Sequence, residues 1–143
     1  MARRVLIAPD KFKGSLSASE AAQAIATGWR QARPHDDLIL QPISDGGDGF
    51  GALMAETLHG EIISCDATNA AGQPVTAAYW LTPDHTAIIE SASVIGLAML
   101  EPSQRAPFEN DSTGLGQIIL HATQPSIHVS RVYCSWRIAR ILD

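Results

Sequence analysis

The sequence predicts an α/β protein whose first part is a parallel βαβαβ segment. Short apolar, β-branched runs recur near residues 4–8, 38–43 and 61–65, and between them apolar residues fall at spacings of three and four. Strands joined by single helices at such short intervals pair in parallel through right-handed crossovers. From Asp66 the pattern changes to alternation interrupted by turns, which marks the start of a second, differently built segment.

Arg4–Ala8 (RVLIA), ended by Pro9, fits a buried strand. Ser17-Ala18-Ser19-Glu20 has the S-x-x-E form of a capping box, and Ala18, Ala21, Ala22, Ile25 and Trp29 then share one helical face up to Pro34. Leu38–Ile43 reads as the second strand and Ser44–Gly49 (SDGGDG) as a glycine-rich loop. Phe50–Leu58 reads as a helix with Phe50, Leu53, Met54 and Leu58 inward and Gly60 as its C-cap. Glu61–Cys65 is the third strand. Asn69–Pro74 turns, Val75–Leu81 and Thr86–Glu90 form a hairpin about Pro83-Asp84, and Ser91–Leu100 begins a helix. Arg105–Gly114 is a polar loop and Leu115–His121 a short helix.

The 143 residues carry 10 Lys plus Arg against 15 Asp plus Glu, a net charge of −5, with 45% apolar content. An acidic surface attracts neither nucleic acid nor anionic membrane, so neither is expected as a general partner. No apolar run reaches a membrane span and no signal peptide is evident, so a cytoplasmic setting is expected. Cys65 and Cys134 lack C-x-x-C spacing, which indicates neither a disulfide framework nor a zinc knuckle. The charge is uneven. Residues 1–120 hold 7 basic and 14 acidic side chains, whereas residues 121–143 hold 3 and 1.

Two loops carry groups suited to chemistry, because loops leaving the carboxyl ends of parallel strands lie on one edge, where ligands bind. Pro9–Ser15 brings Asp10, Lys11, Lys13, Gly14 and Ser15 to the start of the first helix. Its ammonium groups and open backbone N–H groups there would welcome phosphate or carboxylate. Ser44–Gly49 offers Asp45 and Asp48 on a backbone that Gly46 and Gly47 leave free to approach a ligand, and such carboxylates suit Mg²⁺ or a substrate hydroxyl. Lysines facing carboxylates are what phosphoryl transfer needs. Glu90, at the end of an apolar strand, is either exposed or held in a polar site. There is no G-x-x-x-x-G-K-[ST], no G-x-S-x-G and no H-E-x-x-H, so the corresponding nucleotide, hydrolase and zinc sites are unsupported.

The run Ile7-Ala8-Pro9-Asp10-Lys11-Phe12-Lys13-Gly14-Ser15-Leu16-Ser17-Ala18 resembles the opening of the bacterial type-one glycerate kinase family, and Ser44–Gly49 is similar to its A-D-G-G-E-G loop. Asn69–Val75, Glu90–Leu97 and Ser112–Ile119 resemble three further motifs in the same order, so the likeness covers residue 4 to about 122. It implies ATP-dependent, Mg²⁺-assisted phosphorylation of D-glycerate, usually to 2-phosphoglycerate. By this resemblance Lys13 and Asp45 are the catalytic pair. Asp10, Lys11, Gly14, Ser15, Gly46, Gly47 and Glu90 are substrate or nucleotide contacts, and Asp48, replacing a glutamate, is the metal ligand. Lys11 stands where the family has serine. The implied architecture is a Rossmann-like domain built from both ends of the chain with a second domain inserted. Residues 1–66 would be the N-terminal part of the former, 67–122 the start of the latter, and 123–143 a tail outside the family.

That tail holds Val132–Ile138 where the family continues into a glycine-rich acidic loop. Trp136-Arg137 encoded TGG CGG reads Gly-Gly after a one-base shift, which points to a frameshift and a truncated chain, inactive alone and prone to self-association through unpaired strand edges. The competing readings are a non-catalytic fragment and a small α/β anion-binding module.

Overall fold

The computed structural model describes residues 2–135, which form two compact units, one ending at Asp45 and one beginning at Gly46. In the first unit β1 (Arg4–Ile7) and β2 (Asp37–Leu40) pair in parallel, with Leu6 opposite Ile39. Proline at position 42 ends the strand earlier than its apolar run suggests, yet the loops still run together: the Gln41 amide donates to Ile7 at 2.8 Å and that of Ile43 to Pro9 at 3.0 Å.

Helix α1 (Ala18–Ala32) connects the two strands and begins with the expected capping box. The Glu20 amide donates to Ser17 Oγ at 3.2 Å, and the Ser17 amide to Glu20 Oε2 at 2.8 Å. The buried stripe runs through Ala18, Ala21, Ala22 and Ala26, so Ala26 takes the place expected for Ile25, which is exposed. Small residues there bring the helix close to Val5, Ile7, Leu38 and Leu40.

The second unit is a four-stranded sheet in the order β3-β4-β5-β6. Strand β3 (Glu61–Thr68) pairs antiparallel with β4 (Pro74–Leu81), and β4 pairs antiparallel with β5 (Thr86–Glu90). The α/β class and the β-α-β-α-β order are as expected, and β1, α1 and β2 form the parallel unit, but the third strand joins another sheet. The turn decides it. Asn69 Oδ1 accepts from the Ala71 and Gln73 amides, each at 3.0 Å, and Gly72 takes φ 76°, closing a tight hairpin that commits β3 to β4. The compact units divide between Asp45 and Gly46.

Helix α2 (Phe50–Leu58) lies on one face of this sheet and α4 (Thr113–Ala122) on the other; the short α3 (Ala92–Ile95) follows β5. Every residue of β5 is buried, and its alternation serves both faces. Ala87 and Ile89 join a core with Tyr79, Val94, Leu115 and Ile118, while Thr86 and Ile88 turn toward Phe50 and Met54. Cys65, on β3, sits in the first of these cores, and burial pushes its thiol up from the usual value. Helix α2 buries Gly51 and Ala55, whereas Phe50, Met54 and the more exposed Leu58 border an open groove of about 500 Å³. It ends on His59, left-handed at φ 56°, rather than on Gly60.

Strand β6 (Arg131–Ser135) pairs in parallel with β5, so residues 131–135 of the segment expected as a tail, 123–143, form a strand of this sheet. Trp136 and Arg137, on which the frameshift reading rests, lie outside the described residues. No helix among the described residues is long and apolar enough to cross a membrane.

Candidate functional site

In the first unit, the Pro9–Ser15 loop and the chain leading to Ser44 and Asp45 leave the carboxyl edge of the β1–β2 pair, because the strands are parallel. Phe12–Ser15 is a tight turn in which the Ser15 amide donates to Phe12 O at 2.9 Å and Gly14, at φ 78°, supplies the positive dihedral. Lys13 stands exposed in this turn. The expected open backbone donors are mostly used within the loop. The Lys11 amide donates to Asp10 Oδ1 at 2.7 Å, that of Phe12 to Leu16 O at 2.9 Å, and those of Ser15 and Leu16 to Phe12 O. The Ser15 hydroxyl also donates to Phe12 O, at 3.2 Å. An anion at this turn would therefore be met chiefly by lysine side chains. Asp45 is exposed at the end of the neighbouring loop.

In the second unit, Gly46 and Gly49 take φ 85° and 92°, conformations that side-chain-bearing residues rarely adopt. Gly47 is buried and its carbonyl accepts from the Phe50 amide at 3.1 Å, while Asp48 is exposed. Glu90, expected as a ligand contact, turns both oxygens to the protein's own backbone: Oε1 accepts from the Gly49 amide at 3.0 Å and Oε2 from the Gly51 amide at 2.9 Å. Only 4% of this residue is exposed. The carboxylate thus occupies the amino end of α2, where unpaired N–H groups and the helix dipole favour negative charge. Two residues missed by sequence reasoning complete the arrangement. A Cβ at Gly51 would overlap the Trp80 ring, so glycine is what lets α2 approach β4. Ser135, opposite Glu90 in the β5–β6 register, has a buried hydroxyl with no hydrogen-bond partner among the described residues and lies beside Gly46.

Among the described residues no three His, Cys, Asp or Glu side chains cluster as a metal cage. The exposed Asp48 carboxylate still suits Mg²⁺, which commonly takes one or two protein carboxylates and fills its octahedron with water and phosphate oxygens.

A parallel strand pair with a lysine turn and an aspartate-bearing loop on its carboxyl edge is the kind of α/β segment on which phosphotransferases are built. The sequence profile of the glycerate kinase family matches residues 5–132, and the chain belongs to that family. The match extends past residue 122, where the likeness was expected to stop. Glycerate kinase of Haemophilus influenzae is 38% identical over 117 residues, covering 81% of this chain and 31% of its own. Glycerate 2-kinase of Escherichia coli is 37% identical over 122 residues, covering 85% and 32%. A crystal structure from Salmonella typhimurium LT2, of a protein assigned as glycerate kinase 2, superposes with a TM-score of 0.76 at 38% identity, covering 94% of this chain and 36% of that one. The chain spans about a third of the length of these relatives.

Proposed function

We propose that these residues supply the amino-terminal third of an ATP-dependent glycerate kinase acting on D-glycerate, with 2-phosphoglycerate as product. The supporting observation is the placement of the Lys13 and Asp45 loops on one edge of β1–β2 in a chain whose relatives carry the glycerate kinase name. ATP supplies the phosphoryl group and Mg²⁺ neutralises charge on its oxygens. Lys13 offsets the negative charge that builds on the phosphoryl group, and Asp45 accepts the proton of the glycerate hydroxyl. Asp10, Lys11, Gly14 and Ser15 shape the lysine turn, Gly46 and Gly47 allow close approach of backbone, and Asp48 holds the metal. A cytoplasmic setting goes with this reading.

The 143-residue polypeptide by itself should turn over little or no glycerate. Positioning and charge stabilisation supply nearly all of the catalysis in phosphoryl transfer, so a partial set of groups loses far more than its share. The test is a chimera in which residues 5–132 replace the matching segment of the Escherichia coli relative. Glycerate-dependent ADP release on the order of 1 s⁻¹ or faster is expected, falling by about 100-fold or more with Lys13→Ala or Asp45→Ala. A folded chimera whose turnover survives both substitutions would overturn the assignment. Comparable turnover by the 143-residue polypeptide would overturn the claim that it is insufficient.

A further inference from the structure

We infer that Glu90 is a positioning residue: its buried carboxylate takes the place of an external anion at the amino end of α2 and thereby fixes the glycine loop that presents Asp48. Its bearing on metal binding rests on the reading of Asp48 given above; its structural content does not.

Three observations converge. Gly49 and Gly51 donate to separate oxygens of one carboxylate at 3.0 and 2.9 Å, which bridges the loop and the first turn of α2. Asp48 is covalently joined to Gly49, whose φ of 92° redirects the chain, so any shift of the Gly49 amide is passed directly to Asp48. The carboxylate is also held from below. Glu90 ends β5, a strand buried on both faces and paired to β4 and β6, and its own carbonyl accepts from Ser93 Oγ at 2.7 Å. A strand buried on both faces therefore sets the position of a glycine-rich loop across 41 residues of sequence. The same geometry has a second consequence: with Glu90 seated on Gly49 and Gly51, this helix end does not receive phosphate, although glycine-rich loops before helices commonly do.

The experiment is NMR on the ¹³C,¹⁵N-labelled, unsubstituted chain together with its Glu90→Gln, Glu90→Asp and Asp48→Asn variants. In the unsubstituted chain, through-hydrogen-bond couplings from the Gly49 and Gly51 nitrogens to the Glu90 carboxyl carbon are expected, and up to 10 mM inorganic phosphate, a level on the order of weak anion affinities, should leave both amides unmoved. Missing couplings, or displacement of Glu90 by phosphate, would overturn the inference even if every variant failed to fold. In Glu90→Gln one oxygen becomes an NH₂ group that cannot accept, so one glycine amide should exchange with solvent faster. Affinity for Mn²⁺, read from paramagnetic broadening of the 46–49 loop, should fall by about 10-fold or more, as for other residues that orient a metal ligand, with Glu90→Asp retaining part of it. Glu20→Gln, which weakens the α1 capping box in the other unit, should leave Mn²⁺ affinity unchanged, separating positioning from general loss of stability. If Asp48→Asn leaves Mn²⁺ broadening intact, the metal reading fails, and the couplings and exchange rates still decide the role of Glu90.

Discussion

Replacing Ile89 by alanine tests the packing of the second unit, with Ile62→Ala as an internal control. Both isoleucines lie in strands of one sheet, so the loss of β-propensity is shared. They differ in burial: Ile89 is 0% exposed in the core with Tyr79, Val94 and Ile118, whereas Ile62 is 64% exposed. The substitution removes roughly three methylene equivalents at about 0.8 kcal/mol each, or about 2.4 kcal/mol for a fully buried side chain. A void of about 50 Å³ that failed to collapse would add about 1.2 kcal/mol, at about 24 cal/mol per Å³. At position 62 the transfer loss scales down to roughly 0.9 kcal/mol, and no cavity forms. The expected gap between the variants is therefore about 1.5–3 kcal/mol. Urea unfolding of the chain, followed through amide resonances of β4, which pairs with both β3 and β5, gives the two free energies on one probe. Variants that agreed within about 0.5 kcal/mol, a normal spread for surface changes, would refute the assigned core.

Further predictions concern local devices. Ser17→Ala should cost about 1 kcal/mol, the usual value of an N-cap, in urea unfolding followed at α1. His59→Gly should add up to about 1 kcal/mol of stability by relieving a left-handed backbone at the end of α2, measured in the same way on the second unit. Asp36 is held at about 2, first by the Arg3 amide and then by the Trp29 indole N–H and Arg33. Because this lies below the unfolded value of about 3.9, its contribution is present above pH 4 and lost as pH falls through 2. An NMR titration should place the Asp36 midpoint near 2, and Asp36→Asn should remove that part of the acid sensitivity.

The parallel β1–α1–β2 unit was legible because its signals are local: an apolar strand, a capping box four residues long and a helix broken before proline. The likeness of Pro9–Ser15 and Ser44–Gly49 to family motifs was legible for the same reason. What escaped was decided at a distance. Glu61–Cys65 has a strand's composition, and composition does not say which sheet it joins; the Asn69–Gln73 turn does. Glu90 gave no sign that its partners lie 41 and 39 residues earlier, since a carboxylate capping a remote helix leaves no spacing pattern. Ile25 and Ala26 exchanged roles because close helix–sheet packing selects for small volume, and apolar spacing alone rewards the larger side chain.

Cys65 turns the core of the second unit into a clock. Its thiol lies in the core with Ala77, Tyr79 and Ile89, where burial pushes its pKa up, whereas Cys134 lies on an exposed stretch of β6. In a Cys134→Ser background a disulfide reagent has one sulfur to attack, and it can do so only when β3 and β4 part. The labelling rate at saturating mild alkali, where the freed thiol reacts at once, counts openings of that hairpin; the slope of that rate against urea reports how much of the sheet comes apart each time.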